Sequence, residues 1–193
     1  MKNICVFCGS SQGKLPIFKQ TAIDFAKILV QENCTLIYGE GRLGLMGIIA
    51  DTVLESGGNA IGVIPDFMMD KEVAHQGLTE LRITASMHER KYEMARLADG
   101  FAVLPGGMGT LDEMAEILTW NQLLILKKPI GILNVNGYYD PLLKMMDEMV
   151  NAGFLRPKGR ELLLHSTEPA GLIGKLKDYV PGNDNIWNSI KRG

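Results

Sequence analysis

The chain is short of the residues that most often announce chemistry on their own. Three histidines stand among 193 residues, and "MHERK" has no second histidine four positions on, which excludes an HExxH zinc pair. Cys5 and Cys8 are spaced like a redox or zinc pair in "NICVFC", but the run around them has the character of a buried strand, where residues three apart face opposite ways. With Cys34 they read as buried free thiols, and no metal site is expected. Charge of one sign is also missing: 20 lysines and arginines against 22 aspartates and glutamates leave a formal net charge of −2. That balance gives no electrostatic reason to expect nucleic acid or an anionic membrane as partner. No apolar run approaches the ~20 residues needed to span a bilayer, and no basic and apolar leader opens the chain. The expectation is a cytoplasmic protein that acts on a small molecule.

What is present is an alternation. Short apolar or β-branched runs ("NICVFC", "CTLIY", "NAIGVI", "LRITAS", "GFAVL", "PIGIL") alternate with longer ones carrying apolar residues at helical spacing, among them "PIFKQTAIDFAKILVQEN", "GLMGIIADTVLESG", "MHERKYEMARLAD", "GTLDEMAEILTWNQLLIL" and "YYDPLLKMMDEMVNAG". Such βα repetition builds a parallel sheet with helices on both faces. The predicted class is therefore α/β, a three-layer open parallel sheet of the Rossmann-like kind, forming one domain over residues 1–180 with a tail at 181–193. The hydrophobic content of 46% suits one core of that size. Pro65 to Gly77 is polar and longer than an ordinary βα connection, the character of a loop that covers a site or of plain surface.

Glycine is plentiful, 22 residues, and its placement is informative. "CGSSQG", "YGEGRLGLMG" and "PGGMGT" each follow a strand candidate, so all three loops fall at the carboxyl ends of strands, where open α/β sheets bind ligands. In "LPGGMGTLDE" the glycines allow close backbone approach to an anion, and the following helix turns free N–H groups and its positive end toward it. The competing explanation is an N-capping turn with Asp112 and Glu113 merely well placed in a first helical turn. A phosphate beside carboxylates needs a reason for the carboxylates. They would hold ribose hydroxyls, stabilise positive charge at an anomeric carbon or steer a water. Arg90 and Lys91, in "SMHERK", supply cations for the phosphate or a departing base; a solvated helix face is the plainer reading of that pair. A rival fingerprint exists: "GEGRLG" spells the dinucleotide-binding pattern, and Asp66 closes the next strand where a ribose-binding acid would sit. It follows the second strand, though, and it leaves the other two glycine loops without a task.

The stretches "FCGSS", "YGEGRLGLMG", "SMHERKYEMARLADGFAVLPGGMGTLDE" and "TWNQL" together resemble the LOG ("lonely guy") family over about residues 3–180. The resemblance implies a cytokinin riboside 5′-monophosphate phosphoribohydrolase, an enzyme that cleaves the N-glycosidic bond of a nucleoside 5′-monophosphate without a cofactor, and a homodimer. It also implies Arg90 and Glu113 as the catalytic pair. Substrate contacts would fall on Glu72, Arg90, Lys91, Gly107, Met108, Gly109, Thr110, Leu111, Asp112, Glu113 and Thr119. Where the family usually has three successive glycines, this chain has Gly39, Glu40 and Gly41, a difference that bears on substrate preference. The older label of the family, possible lysine decarboxylase, would require pyridoxal phosphate on a lysine, and no lysine here is singled out for a Schiff base. A carrier that binds a nucleotide or nucleotide-like cofactor without turning it over is the alternative of another class.

Overall fold

The computed structural model describes residues 1–39, 41–69, 75 and 77–182. Seven strands form one sheet: β1 (Asn3–Phe7), β2 (Thr35–Gly39), β3 (Ala60–Pro65), β4 (Glu80–Thr84), β5 (Gly100–Val103), β6 (Ile130–Leu133) and β7 (Leu163–Ser166). Every pairing is parallel, in the order β4-β3-β2-β1-β5-β6-β7. The chain builds outward from β1 in one direction as far as β4, then returns to the other side of β1 with β5. The crevice at the carboxyl ends of β1 and β5 is thus a topological switch point, where such sheets bind ligands.

Among the described residues six α-helices lie between strands and a seventh follows β7: α1 (Pro16–Gln31), α2 (Gly44–Glu55), α3 (Met87–Leu97), α4 (Met108–Gln122), α5 (Asp140–Asn151), α6 (Pro157–Glu161) and α7 (Pro169–Lys177). They divide between two cores because alternate strand residues face opposite sides. Ile4, Val6, Leu36, Tyr38 and Ala102 pack with Phe25, Leu29, Ile49 and Leu172 from α1, α2 and α7. Cys5, Phe7, Ile37, Phe101 and Val103 pack with Met94, Met114, Ile117 and Met146 from α3, α4 and α5. The central strands are apolar on both faces for this reason, as parallel sheets require. Cys5 and Cys8 fall in opposite cores and all three cysteines are free and buried. The edge strand β4 carries charge instead, with Arg82 bound to Glu80 at 2.8 Å and Glu93 at 2.6 Å, which discourages pairing with another chain.

The structure departs from the sequence pattern at the end of α4 and beyond α5, where α6, β7 and α7 were not expected. α4 stops at Gln122 rather than running on through Leu126: Asn121 turns its side chain to Lys128, accepting from its N–H and donating to its carbonyl, and Leu124 adopts φ 58°. The seventh strand, β7, lies in "LLLHS", a run too short for its period to separate strand from helix. Among the described residues no helix is long and apolar enough to cross a membrane.

Phe101 is fully buried and stacked on Phe7 with ring centroids 5.8 Å apart. Phe101→Ala should lower the unfolding free energy by about 3–5 kcal/mol, measured as a fall in urea midpoint with an unchanged slope.

Candidate active site

Three loops meet above the switch point. The N–H of Gly9, after β1, donates to Pro105 O, after β5, at 3.0 Å, and Leu45 N–H, at the start of α2, donates to Gly9 O at 3.0 Å. Gly44, with φ 65°, comes so close that a Cβ there would lie 2.2 Å from the carbonyl carbon of Ser10. Two further glycines make room for protein atoms: a Cβ on Gly47 would lie 2.1 Å from Arg42 O, and one on Gly106 would lie 2.1 Å from Thr110 Oγ1. The cavity these loops enclose has a volume of about 250 Å³ and is lined by residues that include Cys8, Ser10, Met46, Met87, Arg90, Lys91, Gly107, Met108, Gly109, Thr110, Asp112 and Glu113. A larger hollow of about 680 Å³ lies on the edge strand around Glu80, Arg82 and Tyr92. It is away from the switch point, and the ion pairs of Arg82 already occupy its charged groups.

Gly107 and Gly109 differ from the other glycines of these loops. A Cβ on either would meet nothing within 4 Å, so no protein atom demands glycine there. The open space lies over the first turn of α4, whose N-cap, Gly107, offers no side-chain oxygen to the helix. Among the described residues no acceptor takes the N–H groups of Gly107, Met108 or Gly109. Bare donors at a helix start, with glycines that let a ligand close in, form an anion cradle.

Arg90 and Glu113 face this cradle. Arg90 sits in the first turn of α3, which is fixed by a reciprocal cap: Ser86 Oγ accepts from Glu89 N–H at 3.1 Å, and Glu89 Oε2 accepts from Ala85 N–H at 2.7 Å. The guanidinium reaches across the end of β2, and a Cβ on Gly39 would lie 1.6 Å from Arg90 Nη2. Arg90 is 8% exposed, and its Nε is buried with no partner among the described residues. Among the described residues its nearest carboxylate oxygen, Glu113 Oε1, lies 3.9 Å from Nη2, too far for a hydrogen bond. Burial raises the Glu113 carboxyl from its ordinary 4.5 to about 7, against the pull of the Arg90 charge. Burial, and then the Glu113 charge, raise the Cys8 thiol, so Cys8 is a neutral wall of the cavity.

Lys91 turns to the rim, with Nζ 3.1 Å from both Asp112 Oδ2 and Glu116 Oε2. Burial pulls its pKa down, but the hydrogen bonds to Glu116 and Asp112 outweigh that and raise it. The remaining residues named from the sequence fall elsewhere. Leu111 packs against the core beneath α4. Thr119 is exposed about three turns along α4, its Oγ1 donating to Ala115 O at 2.8 Å, and does not line the cavity. Glu72 and Glu40 lie outside the described residues. Asp66, the acid of the dinucleotide pattern, accepts from Phe67 N–H at 2.6 Å and so serves its own turn. Cys8, Ser10, Met46 and Met87 are cavity residues that sequence reasoning missed, since apolar and small residues carry no signal of their own.

A sequence profile described as "Possible lysine decarboxylase" matches residues 46–176. The cytokinin riboside 5′-monophosphate phosphoribohydrolase LOG7 of Arabidopsis thaliana is 43% identical over 196 residues, which covers 99% of this chain and 90% of that protein. The probable cytokinin riboside 5′-monophosphate phosphoribohydrolase LOGL2 of Oryza sativa subsp. japonica is 44% identical over 190 residues, covering 98% of this chain and 78% of that one. The chain belongs to the LOG family. Solved structures of lower identity share its fold. The molybdenum cofactor carrier protein of Chlamydomonas reinhardtii aligns with a TM-score of 0.69 at 21% identity, over 91% of this chain and 96% of that one. The molybdenum cofactor binding protein of Rippkaea orientalis aligns with a TM-score of 0.67 at 20% identity, over 92% and 96%. In this LOG protein the one lysine among the described residues that line the cavity, Lys91, is held as an ammonium by two carboxylates. A Schiff-base lysine needs the opposite, a lowered pKa.

Two outcomes are expected of this LOG site. Gly39→Ala should displace the Arg90 guanidinium and raise the Glu113 pKa, followed through the carboxyl ¹³C resonance. Because the folded-state pKa of Glu113 is raised, the stability it contributes is present below the ordinary 4.5 and is lost as pH rises through about 7. Between about pH 4 and pH 8 the wild type should therefore lose ~3 kcal/mol relative to Glu113→Gln, measured by urea unfolding at both pH values.

Proposed function

We propose that this protein hydrolyses the N-glycosidic bond of cytokinin riboside 5′-monophosphates, of AMP, or of both, releasing the free base and ribose 5-phosphate, and so acts in cytokinin biosynthesis or nucleotide turnover. The observation that carries this reading is the position of Glu113: a buried carboxyl one turn inside the bare amides of α4, on the same cavity as Arg90. The names of relatives more than 40% identical over nearly the whole chain support the same reaction.

The 5′-phosphate is held by the N–H groups from Gly107 to Thr110 and by the Thr110 hydroxyl, with the positive helix end behind them. This places the ribose over Glu113. The ionised carboxylate stabilises the positive charge that develops at the anomeric carbon and takes a proton from the attacking water as the C–N bond breaks toward the base. Arg90 balances charge around the sugar and the departing base, its unpaired Nε supplying a donor. Lys91 and Asp112 close the rim around the substrate, Met108 borders the same cavity, and Glu72 is a further contact that the family resemblance implies. No cofactor is needed for this hydrolysis.

The homodimer and the cytoplasmic location belong to the same proposal. Tyr92, Met108, Ile125, Met145 and Phe154 leave apolar surface for a second copy, and three unpaired cysteines suit a reducing compartment.

Purified protein incubated with AMP and with isopentenyladenosine 5′-monophosphate should release free base, followed by chromatography. Glu113→Gln should lower turnover on the order of 10²-fold or more. Because the ionised carboxylate is required, wild-type kcat/KM should fall as pH drops below about 7. Near-normal turnover in folded Glu113→Gln would overturn the assignment of that residue, and tight nucleotide binding with no base released would turn the reading to a carrier.

A further inference from the structure

The turn after β6 holds two adjacent tyrosines against the phosphate loop. Asn134, buried at the end of β6, accepts from Tyr139 N–H at 2.7 Å through Oδ1 and donates to Asp140 Oδ1 at 2.6 Å through Nδ2. Between these anchors Asn136 and Gly137 adopt φ 50° and 70°, a reversal that brings "YY" back over the neighbouring strand, β5. The Tyr139 hydroxyl then donates to Leu104 O at 2.8 Å, and the Tyr138 hydroxyl donates to Gly106 O at 2.6 Å. The carbonyl between them, Pro105 O, accepts from Gly9 N–H at 3.0 Å. Three successive carbonyls of "LPGGMGT" are therefore held by donors from outside the loop.

This matters because a planar trans peptide points its C=O and N–H in opposite directions. When Gly106 O is held by Tyr138, the Gly107 N–H of the same peptide is turned away from the tyrosine, on the side where Gly107 lines the cavity. The peptide between two glycines is also the one in the loop that rotates most freely. Reversed, it would aim a carbonyl oxygen at the bound phosphate, and one N–H donor would become a repulsive acceptor. We propose that Tyr138 is a positioning residue for the 5′-phosphate, its hydroxyl holding the Gly106–Gly107 peptide in the anion-binding orientation, with Tyr139 anchoring the strand end behind it. The proposal rests on the phosphate reading given above.

Tyr138 carries the test rather than Tyr139, which is 2% exposed and buried deep enough for its loss to be felt by the fold. Tyr138→Phe keeps the edge-on ring contacts with Phe18 and Tyr139 and removes only the donor to Gly106 O. Calorimetric titration with ribose 5-phosphate should show affinity weakened about tenfold in the variant, the size expected for one lost hydrogen bond that serves a charged ligand. KM for AMP should rise by a similar factor with kcat little changed, while the affinity for adenosine, which lacks the phosphate, and the melting temperature stay at wild-type values. A variant that binds ribose 5-phosphate as tightly as wild type overturns the proposal alone. So does a variant that loses adenosine and ribose 5-phosphate equally, which would mark a general structural role. Wild-type protein that binds no ribose 5-phosphate overturns the phosphate reading and this proposal with it.

Discussion

A guanidinium buried at the end of a parallel sheet needs both space and negative charge, and the site is organised around how Arg90 obtains them. Space comes from the missing side chain of Gly39, since any Cβ there would coincide with Nη2. Negative charge is supplied only in part. Glu113 stands 3.9 Å away and its pKa near 7 leaves it substantially protonated at neutral pH, so neither group neutralises the other fully. Burial of an incompletely paired ion is costly, and an anionic ligand with hydroxyl groups to share would relieve it. The bare amides of α4 beside this pair offer such a ligand its second anchor. Emptiness, incomplete pairing and a raised carboxyl pKa are thus one condition seen from three sides.

Much of this was legible in the sequence, for reasons of range. The βα alternation and the glycine loops are patterns confined to a few consecutive residues, where local sterics and hydrogen bonding decide the conformation. That three such loops share one cavity floor also follows from a local rule, because parallel strands bring their carboxyl ends to the same side. What could not be read is what depends on residues far apart in the chain. Gly39 looks like one more turn glycine until Arg90 is seen in its space, and Tyr138 looks like the start of α5 until its hydroxyl is found on Gly106 O. β7 was lost because a run of three leucines fits either period, and the end of α4 because Asn121 finds its partner in Lys128 beyond the turn.

The glycines sort themselves once their neighbours are known. Gly44, Gly47 and Gly106 are required by protein atoms that approach too closely for a Cβ, whereas Gly107 and Gly109 border open space. The first group welds the loops of β1, β2 and β5 into a floor. The second group leaves that floor accessible. This also explains why a dinucleotide-like spelling appears in "GEGRLG" without a dinucleotide site: Gly44 is consumed by contact with Ser10 and Asp66 by its own turn. The molybdenum cofactor proteins share this fold, and fold alone does not separate a carrier from an enzyme.

The separation lies in how the acidic residues after the cradle are divided. Successive residues on a helix are turned by about 100°, so Asp112 and Glu113, adjacent in sequence, cannot serve the same neighbour. Asp112 turns to the rim, where it and Glu116 hold Lys91, and its charge is spent there rather than on the phosphate. Glu113 turns inward, where burial withholds its proton until about pH 7. A protein that only held a phosphate would gain nothing from a buried carboxylate beside it, since the repulsion weakens binding. A protein that must stabilise transient positive charge at a sugar carbon gains from that carboxylate, provided the phosphate is anchored strongly enough elsewhere to tolerate it. In the proposed reading the helix start and the tyrosine-held loop supply that anchorage while Arg90 balances charge around the sugar, and the carboxylate that looks misplaced for binding would be the group best placed for chemistry.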